Sequence, residues 1–464
     1  MKRRKNMPGR NMLLPAIMTA CILTLGAGSC AAEEAGNGHA PDWAKNAVLY
    51  EVNIRQYTPE GTFAAFSEHL EELKDMGIDT LWFMPIHPIS ETNRAGTLGS
   101  YYSVSDYRDV NPEFGTLEDF GALVGQAHEM GFHIILDWVA NHTGWDNAWI
   151  NEHPDWYTQQ DGKIISPQGM GWNDVADLNY DNSDMRQEMI DCMKFWVTEY
   201  DIDGFRCDYA AGVPSDFWAE ARSQLEEVKP LFFLEEDLAG QNGKLLEEAF
   251  DCNYSAKFLE TLIHIAHNNK KADKLRLYRL SMPEGDFPMY YLDNHDVNSY
   301  DRTLAEGFPE ETLPSMWSLI FTQAGIPMMY SGDEITYDHR IEFMEKDPID
   351  WSAVTWDASP LIKELAGLKK DNPALDADSS FEDIKLEEKN VAAYRRTSGD
   401  NSVVCLFNLS RNELADIDLS GAAIEGGTVL LSGSEGSWST EGELPGAAHT
   451  FAPWEFMIIL EDKP

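Results

Sequence analysis

Residues 202–208 read IDGFRCD, a short apolar run that ends on a carboxylate, Asp208. The form returns at 231–236, LFFLEE, and at 290–296, YYLDNHD, which lead to Glu236 and Asp296. Apolar runs of this length between polar turns read as buried strands. Working outward, DTLWFM at 79–84, FHIILD at 132–137 and IPMMY at 326–330 are of the same kind. Helix-like stretches lie between them. One runs over 66–76 and stops at Gly77. Another runs over 117–130, where Phe120, Leu123, Val124, Ala127 and Met130 form one apolar stripe before Gly131. Strands alternating with helices from Val48 to about residue 371 imply parallel pairing. The fold class is α/β, and the length suits a (β/α)8 TIM barrel.

Two segments break the alternation. Residues 143–182 are rich in Trp, Asp, Asn and Gly and show no clear helix, so they read as a small domain inserted after the third strand. From 372 the chain changes to short strands, at 390–395, 402–408, 428–431 and 456–460, separated by Gly, Ser and Asp turns. That is the pattern of an all-β sandwich. The expected division is a barrel over 45–142 and 183–371, an insert over 143–182 and a C-terminal sandwich over 372–464.

A chain of 464 residues exceeds one compact core, which agrees with two or three domains. Its formal net charge is −44. So acidic a surface repels phosphate backbones, which excludes nucleic acid as a partner and suits a neutral substrate. Residues 1–29 are different: Lys2, Arg3, Arg4, Lys5 and Arg10 precede or flank an uncharged apolar stretch at 12–25. That stretch is too short to span a bilayer and has the form of an export signal. Gly26-Ala27-Gly28-Ser29-Cys30 resembles a bacterial lipobox, so a lipid on Cys30 is expected, with 30–44 as a tether. Ordinary cleavage after Ala27 or Ser29 is the alternative. The expected location is the outer membrane or cell surface, or with plain cleavage the periplasm or medium. Cys192, Cys207, Cys252 and Cys405 are scattered and suggest neither a disulfide framework nor a zinc site.

Six blocks carry chemistry, in this order: DWVANH (137–142), VADLN (175–179), GFRCD (204–208), FFLEED (232–237), LDNHD (292–296) and GIPMMYSGDE (325–334). Carboxylates at the ends of barrel strands converge on one face, and paired carboxylates are the equipment for cleaving a glycosidic bond. Arg206 leaves the same strand face as Asp208, so its guanidinium is expected to lower the Asp208 pKa and keep it ionised. The bland reading of any lone R-x-D is a structural ion pair. Adjacent Glu235 and Glu236 point to opposite faces, so only one of them can serve the site.

Together the blocks resemble the α-amylase family of retaining glycoside hydrolases, family 13, over nearly the whole chain from Trp43. The resemblance implies Asp208 as nucleophile and Glu236 as general acid/base, with Glu235 as the lesser alternative. It implies Asp296 as the carboxylate that binds sugar hydroxyls more strongly in the transition state. It makes His142 and His295 hydrogen-bond donors to the same sugar, and Tyr102 the aromatic platform beneath it. A lone histidine or loop tyrosine is more often structural. Asp137 would support Arg206 without touching substrate. Of Trp145, Trp149, Trp156, Tyr157 and Trp172, fewer than half are expected at substrate, because an insert needs a core. No cofactor is required for the chemistry. The family often holds a structural calcium through the equivalents of Asn141 and Asp177. Here Ala211 and Gly212 stand where its amylases usually carry Lys-His, which weakens that expectation, and Tyr209 directly after the nucleophile is a further departure. The implied substrate is an α-1,4-glucan of starch or a maltooligosaccharide. An exo-acting α-glucosidase, a transglycosylase or isomerase, and a non-catalytic glucan-binding protein are the alternatives.

Overall fold

The computed structural model describes residues 40–238, 243–280 and 288–462. The signal at 1–29, Cys30 and most of the tether lie outside the described residues. Among the described residues, eight parallel strands close into a barrel in sequential order. They are β1 (Leu49–Val52), β2 (Thr80–Phe83), β3 (His133–Trp138), β4 (Gly204–Cys207), β5 (Phe232–Glu235), β6 (Cys252–Tyr254), β7 (Pro288–Tyr291) and β8 (Ile326–Tyr330). Nearly all their residues are buried, as expected for strands covered on both faces. Gly204 is required where β4 meets β5, because a Cβ there would stand 2.2 Å from the Phe232 carbonyl oxygen.

The helix Leu117–Glu129 starts at a capping box between Thr116 and Asp119 and buries Phe120, Leu123, Val124 and Ala127. The stretch read as one helix over 66–76 is two, Phe63–Ser67 and Leu70–Asp75, with the break at Glu68 and His69. The insert is held by an antiparallel pair, His142–Gly144 with Val175–Asp177. It does contain a helical turn, Trp149–Glu152, which the sequence reading missed. Helix Ser183–Tyr200 then returns the chain to β4.

After helix Ser359–Asp371 the C-terminal part forms a six-stranded antiparallel sheet faced by a two-stranded ribbon, Leu414–Asp418 with Ala448–Phe451. Val404, Leu406, Val429, Ile459 and Phe451 fill the space between them. The opposite face rests on the barrel helix Leu313–Thr322, where Arg396 Nη1 donates to the Thr322 carbonyl at 2.8 Å. No described helix is long and apolar enough to cross a membrane.

Candidate active site

Register places the candidate carboxyls before any side chain is considered. Asp137 on β3 pairs laterally with Arg206 on β4, and Arg206 with Leu234 on β5. Side chains two residues apart share a face. Asp208, two past Arg206, and Glu236, two past Leu234, therefore come level at the carboxyl ends of their strands. The loop after β7 brings His295 and Asp296 across from them. A cavity of about 550 Å³ opens there, lined among others by Tyr102, His142, Asp208, Glu236, His295 and Asp296.

Arg206 is the hub and is fully buried. Its Nη1 contacts Asp137 at 3.0 Å and Asp208 at 3.1 Å, and its Nη2 contacts Glu236 at 2.9 Å. Nε donates to Tyr254 Oη at 3.1 Å. Glu236 also accepts the Tyr209 backbone N–H at 2.8 Å. Tyr209 reaches that position in a left-handed conformation, φ 42°. Its ring lies where a Cβ on residue 212 would stand, at 2.2 Å, so any larger residue at 212 displaces the Tyr209 ring. Glu235 stays within β5, buried, and is not part of the cavity lining, so the geometry selects Glu236.

The electrostatics correct one expectation. Burial, then the Glu236 charge, push the Asp208 carboxyl well above its usual range, and the opposing pull of Arg206 does not offset them. Arg206 does act in the expected direction, but a pattern of residue types cannot register how deeply the group is buried. A proton held here belongs to the coupled carboxyls rather than to one residue. Asp137 behaves likewise: burial raises it to about 6 against Arg206 and His295. It bonds Trp82 Nε1 and Tyr102 Oη at 3.2 Å each and does not line the cavity.

The two histidines differ. Burial lowers His142 to about 4, so it is neutral. Its Nδ1 accepts from Asn141 Nδ2 at 3.2 Å, which leaves the proton on Nε2. Burial also opposes charge on His295, but Asp296 and Glu51 outweigh it and raise the ring to about 9. The Tyr102 ring lines the cavity and stacks on Phe343 with 6° between planes. Its hydroxyl lies 2.9 Å from His295 Nε2. Asp296 is the most open of the three carboxylates, 44% exposed against 13% for Asp208 and Glu236.

Of the five insert aromatics singled out, Trp172 alone lines the cavity. Trp149 stacks on Tyr107, and Trp156 and Tyr157 are buried. Tyr300, Phe343, Met170 and Leu238 also line the cavity and were not recognised in the sequence. Met170, Leu238 and Phe343 sit in loops and Tyr300 in the short helical turn Val297–Asp301, and no local signal marks them.

Asn141 and Asp177 lie together, since the Leu178 N–H donates to the Asn141 carbonyl. Together they offer one carboxylate and one amide oxygen, whereas calcium takes six to eight oxygens. Among the described residues no group of three or more His, Cys, Asp or Glu could hold a metal ion. The Asp177 carboxyl is raised by burial and meets Thr158. Backbone carbonyls or water would have to supply the rest of a calcium shell.

Comparison with known proteins agrees with the architecture. The family description "Alpha amylase, catalytic domain" matches residues 36–230, which includes Asp208 and stops short of Glu236. A crystal structure of an α-amylase from Lactobacillus plantarum superimposes with a TM-score of 0.77 at 30% identity, over 90% of this chain and 99% of that one. A noncanonic maltogenic α-amylase, AmyB from Thermotoga neapolitana, also gives 0.77, at 27% identity over 90% and 99%. α-Amylase MalA of Haloarcula japonica is 25% identical over 88% of this chain, which spans only 60% of that relative's length.

Proposed function

Since this chain belongs to the α-amylase family of glycoside hydrolases, we propose that it cleaves α-1,4-glucosidic bonds of starch-derived glucans or maltooligosaccharides with retention of configuration. The observation that carries this is the convergence of Asp208 and Glu236 on one buried guanidinium, beneath a cavity whose far wall carries Asp296. Asp208 attacks the anomeric carbon. Glu236 protonates the departing glycosidic oxygen, then takes a proton from the water that releases the sugar. Asp296 and the protonated His295 bind sugar hydroxyls, and these bonds strengthen as the ring flattens towards an oxocarbenium ion. His142 donates from Nε2. Arg206 holds both reacting carboxyls in place, and Asp137 holds Arg206.

The leaving group departs on the Glu236 side, towards Tyr209, Trp172 and Leu238. The described lining residues there include no Lys or Arg, and the Leu238 and Met170 side chains are exposed. An apolar, aromatic seat of this kind stacks on sugar faces and favours a second reading, transfer to a short sugar acceptor in place of water. Product analysis from starch, maltoheptaose, pullulan and sucrose tests both readings. A ladder of maltooligosaccharides with initial α-anomers supports retaining endo cleavage; glucose as sole product, or initial β-anomers, refutes it. Products longer than the maltoheptaose supplied identify transfer.

The N-terminal reading adds a location: export as a lipoprotein with the lipid on Cys30, at the outer membrane or cell surface. It rests on the basic residues, the apolar stretch and the small residues before Cys30. Metabolic labelling with a palmitate analogue tests it. Label that persists after Cys30→Ser defeats the assignment.

A further inference from the structure

Glu51 on β1 is fully buried, and no motif marks it. Its carboxylate grips one residue twice. Oε1 lies 2.5 Å from His295 Nδ1, and Oε2 accepts the His295 backbone N–H at 3.3 Å. The Glu51 carbonyl in turn accepts from Ser331, through the backbone N–H at 3.1 Å and Oγ at 2.8 Å. The backbone of Glu51 is therefore fixed against Ser331, and its side chain spends both oxygens on a cavity residue.

With Nδ1 held, His295 presents Nε2 to the cavity. Nε2 lies 2.9 Å from Tyr102 Oη and 3.5 Å from the Asp296 carboxylate. Tyr102 Oη bonds Asp137, Asp137 bonds Arg206, and Arg206 bonds Asp208 and Glu236. A continuous run of polar contacts thus joins β1 to the reacting carboxyls, and His295 is its first link. Charged groups face the imidazole from each side. Asp296 adjoins it in its own loop, Glu51 comes from β1, Asp137 from β3 and Arg206 from β4. Asp293 and Asp333 lie behind Glu51. Two carboxylates in direct contact with one imidazole favour its protonated form.

We propose that Glu51 is a positioning residue for the reaction: it fixes the His295 ring and keeps both ring nitrogens protonated, so that Nε2–H, which meets Tyr102 Oη in the free protein, is shared with a hydroxyl of the bound sugar beside Asp296. This rests on the site being a glycoside hydrolase centre. A donor carrying charge makes a hydrogen bond about twice as strong as a neutral one. A neutral side chain at 51 changes the atom presented. A glutamine oxygen accepts from Nδ1–H, Asp296 at 3.5 Å is then the one carboxylate left in contact with the ring, the protonated form is disfavoured, and the neutral ring presents Nε2 as an acceptor that the Tyr102 hydroxyl satisfies. The geometry is kept while the donor to the sugar is lost.

The test is a double-mutant cycle in the full chain on maltoheptaose: wild type, Glu51→Gln, His295→Gln and the double variant, with kcat and KM from pH 5 to 9.5 and the melting temperature of each. Expected is a tenfold or greater loss of kcat/KM for Glu51→Gln at pH 7, and less than twofold further loss when it is added to His295→Gln. A folded Glu51→Gln within twofold of wild type overturns the proposal. So does the same loss in both backgrounds, which would mark a scaffold effect. If Glu51→Gln does not fold, Glu51→Asp enters the same cycle; it keeps the charge but cannot reach both His295 nitrogens. Nitrogen chemical shifts of the His295 ring, assigned by their loss in His295→Gln, give a readout independent of activity. Both nitrogens protonated at pH 7.5 in wild type, and one in the Glu51 variant, is the expected result. A neutral ring in wild type refutes the proposal even where glucan cleavage is found. A charged ring in a protein that cleaves no glucoside refutes only the hydrolase reading.

Discussion

Replacing Glu236 with Gln removes one proton donor and leaves the surrounding bonds nearly intact. The amide oxygen still accepts the Tyr209 N–H, which now bonds Glu236 at 2.8 Å. The 2.9 Å ion pair with Arg206 Nη2 is lost, but Arg206 keeps Asp137 and Asp208. The stability cost is therefore of the order of one charge-assisted hydrogen bond, roughly 1–3 kcal/mol. The catalytic cost is larger. A positioned general acid contributes about 10²–10⁴ in rate, or about 3–5 kcal/mol. That loss depends on the leaving group, because a sugar alkoxide needs the proton and a nitrophenolate does not. We expect Glu236→Gln to lose about 10³-fold in kcat on maltoheptaose. On a nitrophenyl α-maltoside it should instead release one equivalent of nitrophenol in a burst and then turn over slowly. Glu235→Gln alters a buried residue inside β5, away from the cavity, and should cost several-fold at most on either substrate. Stopped-flow release and steady-state reducing-sugar assays on both variants decide the matter. A greater loss for Glu235→Gln, or equal losses on both substrates with no burst for Glu236→Gln, refutes the assignment of the acid.

Asp208→Asn should reduce turnover by several orders of magnitude. Burial already pushes this carboxyl towards its neutral form, so the melting temperature should hold within a few degrees; a folded variant with near-normal turnover removes Asp208 from its role. Burial raises Asp293 to about 8. For an acid raised on folding, the folded state binds more protons, so its stabilising share is complete below about pH 4 and is lost as pH rises to about 8. The melting temperature of the wild type should fall across that window more than that of Asp293→Asn, and parallel curves would count against it. Chelation should move the melting temperature by less than about 2 °C, since Asn141 and Asp177 alone supply one amide oxygen and one carboxylate. A drop of ten degrees that added calcium reverses would overturn that reading.

Strand ends leave a local mark, an apolar run that stops on a charged residue, and that mark drew attention to Asp208, Glu236 and Asp296; the preference for Glu236 over Glu235 and the place of His295 came from the family resemblance. Glu51 left no such mark. It sits in LYEV, a four-residue strand, and its importance appears only when barrel closure brings β1 beside the loop after β7. Strand β6, CNY, is too short for any periodic signal. The ribbon strands Leu414–Asp418 and Ala448–Phe451 are polar on their exposed sides, and the sequence shows no apolar run there. The helix break at Glu68 was hidden because the apolar stripe continues across it through Phe66, Leu70 and Leu73. For Asp208 the pattern supplied the correct partner and the wrong net direction, since neighbours in sequence report charges while desolvation depends on the whole barrel.

That reversal bears on how the site works. One guanidinium faces three carboxyls, Asp137, Asp208 and Glu236, all in a buried setting. Burial is the main cause that raises Asp208 and Asp137: at Asp208 the Glu236 charge adds to it, and at Asp137 it acts against the pull of Arg206 and His295. On the proposed mechanism, the proton retained in this way is the one that cleavage requires. The surplus of negative charge favours a cation, and the oxocarbenium-like transition state develops positive charge beside Asp208 and Asp296. A neutral sugar in the ground state gains little from the excess, whereas the transition state gains most of it, which is the differential binding that accelerates a reaction. Arg206 then serves to limit the surplus rather than abolish it.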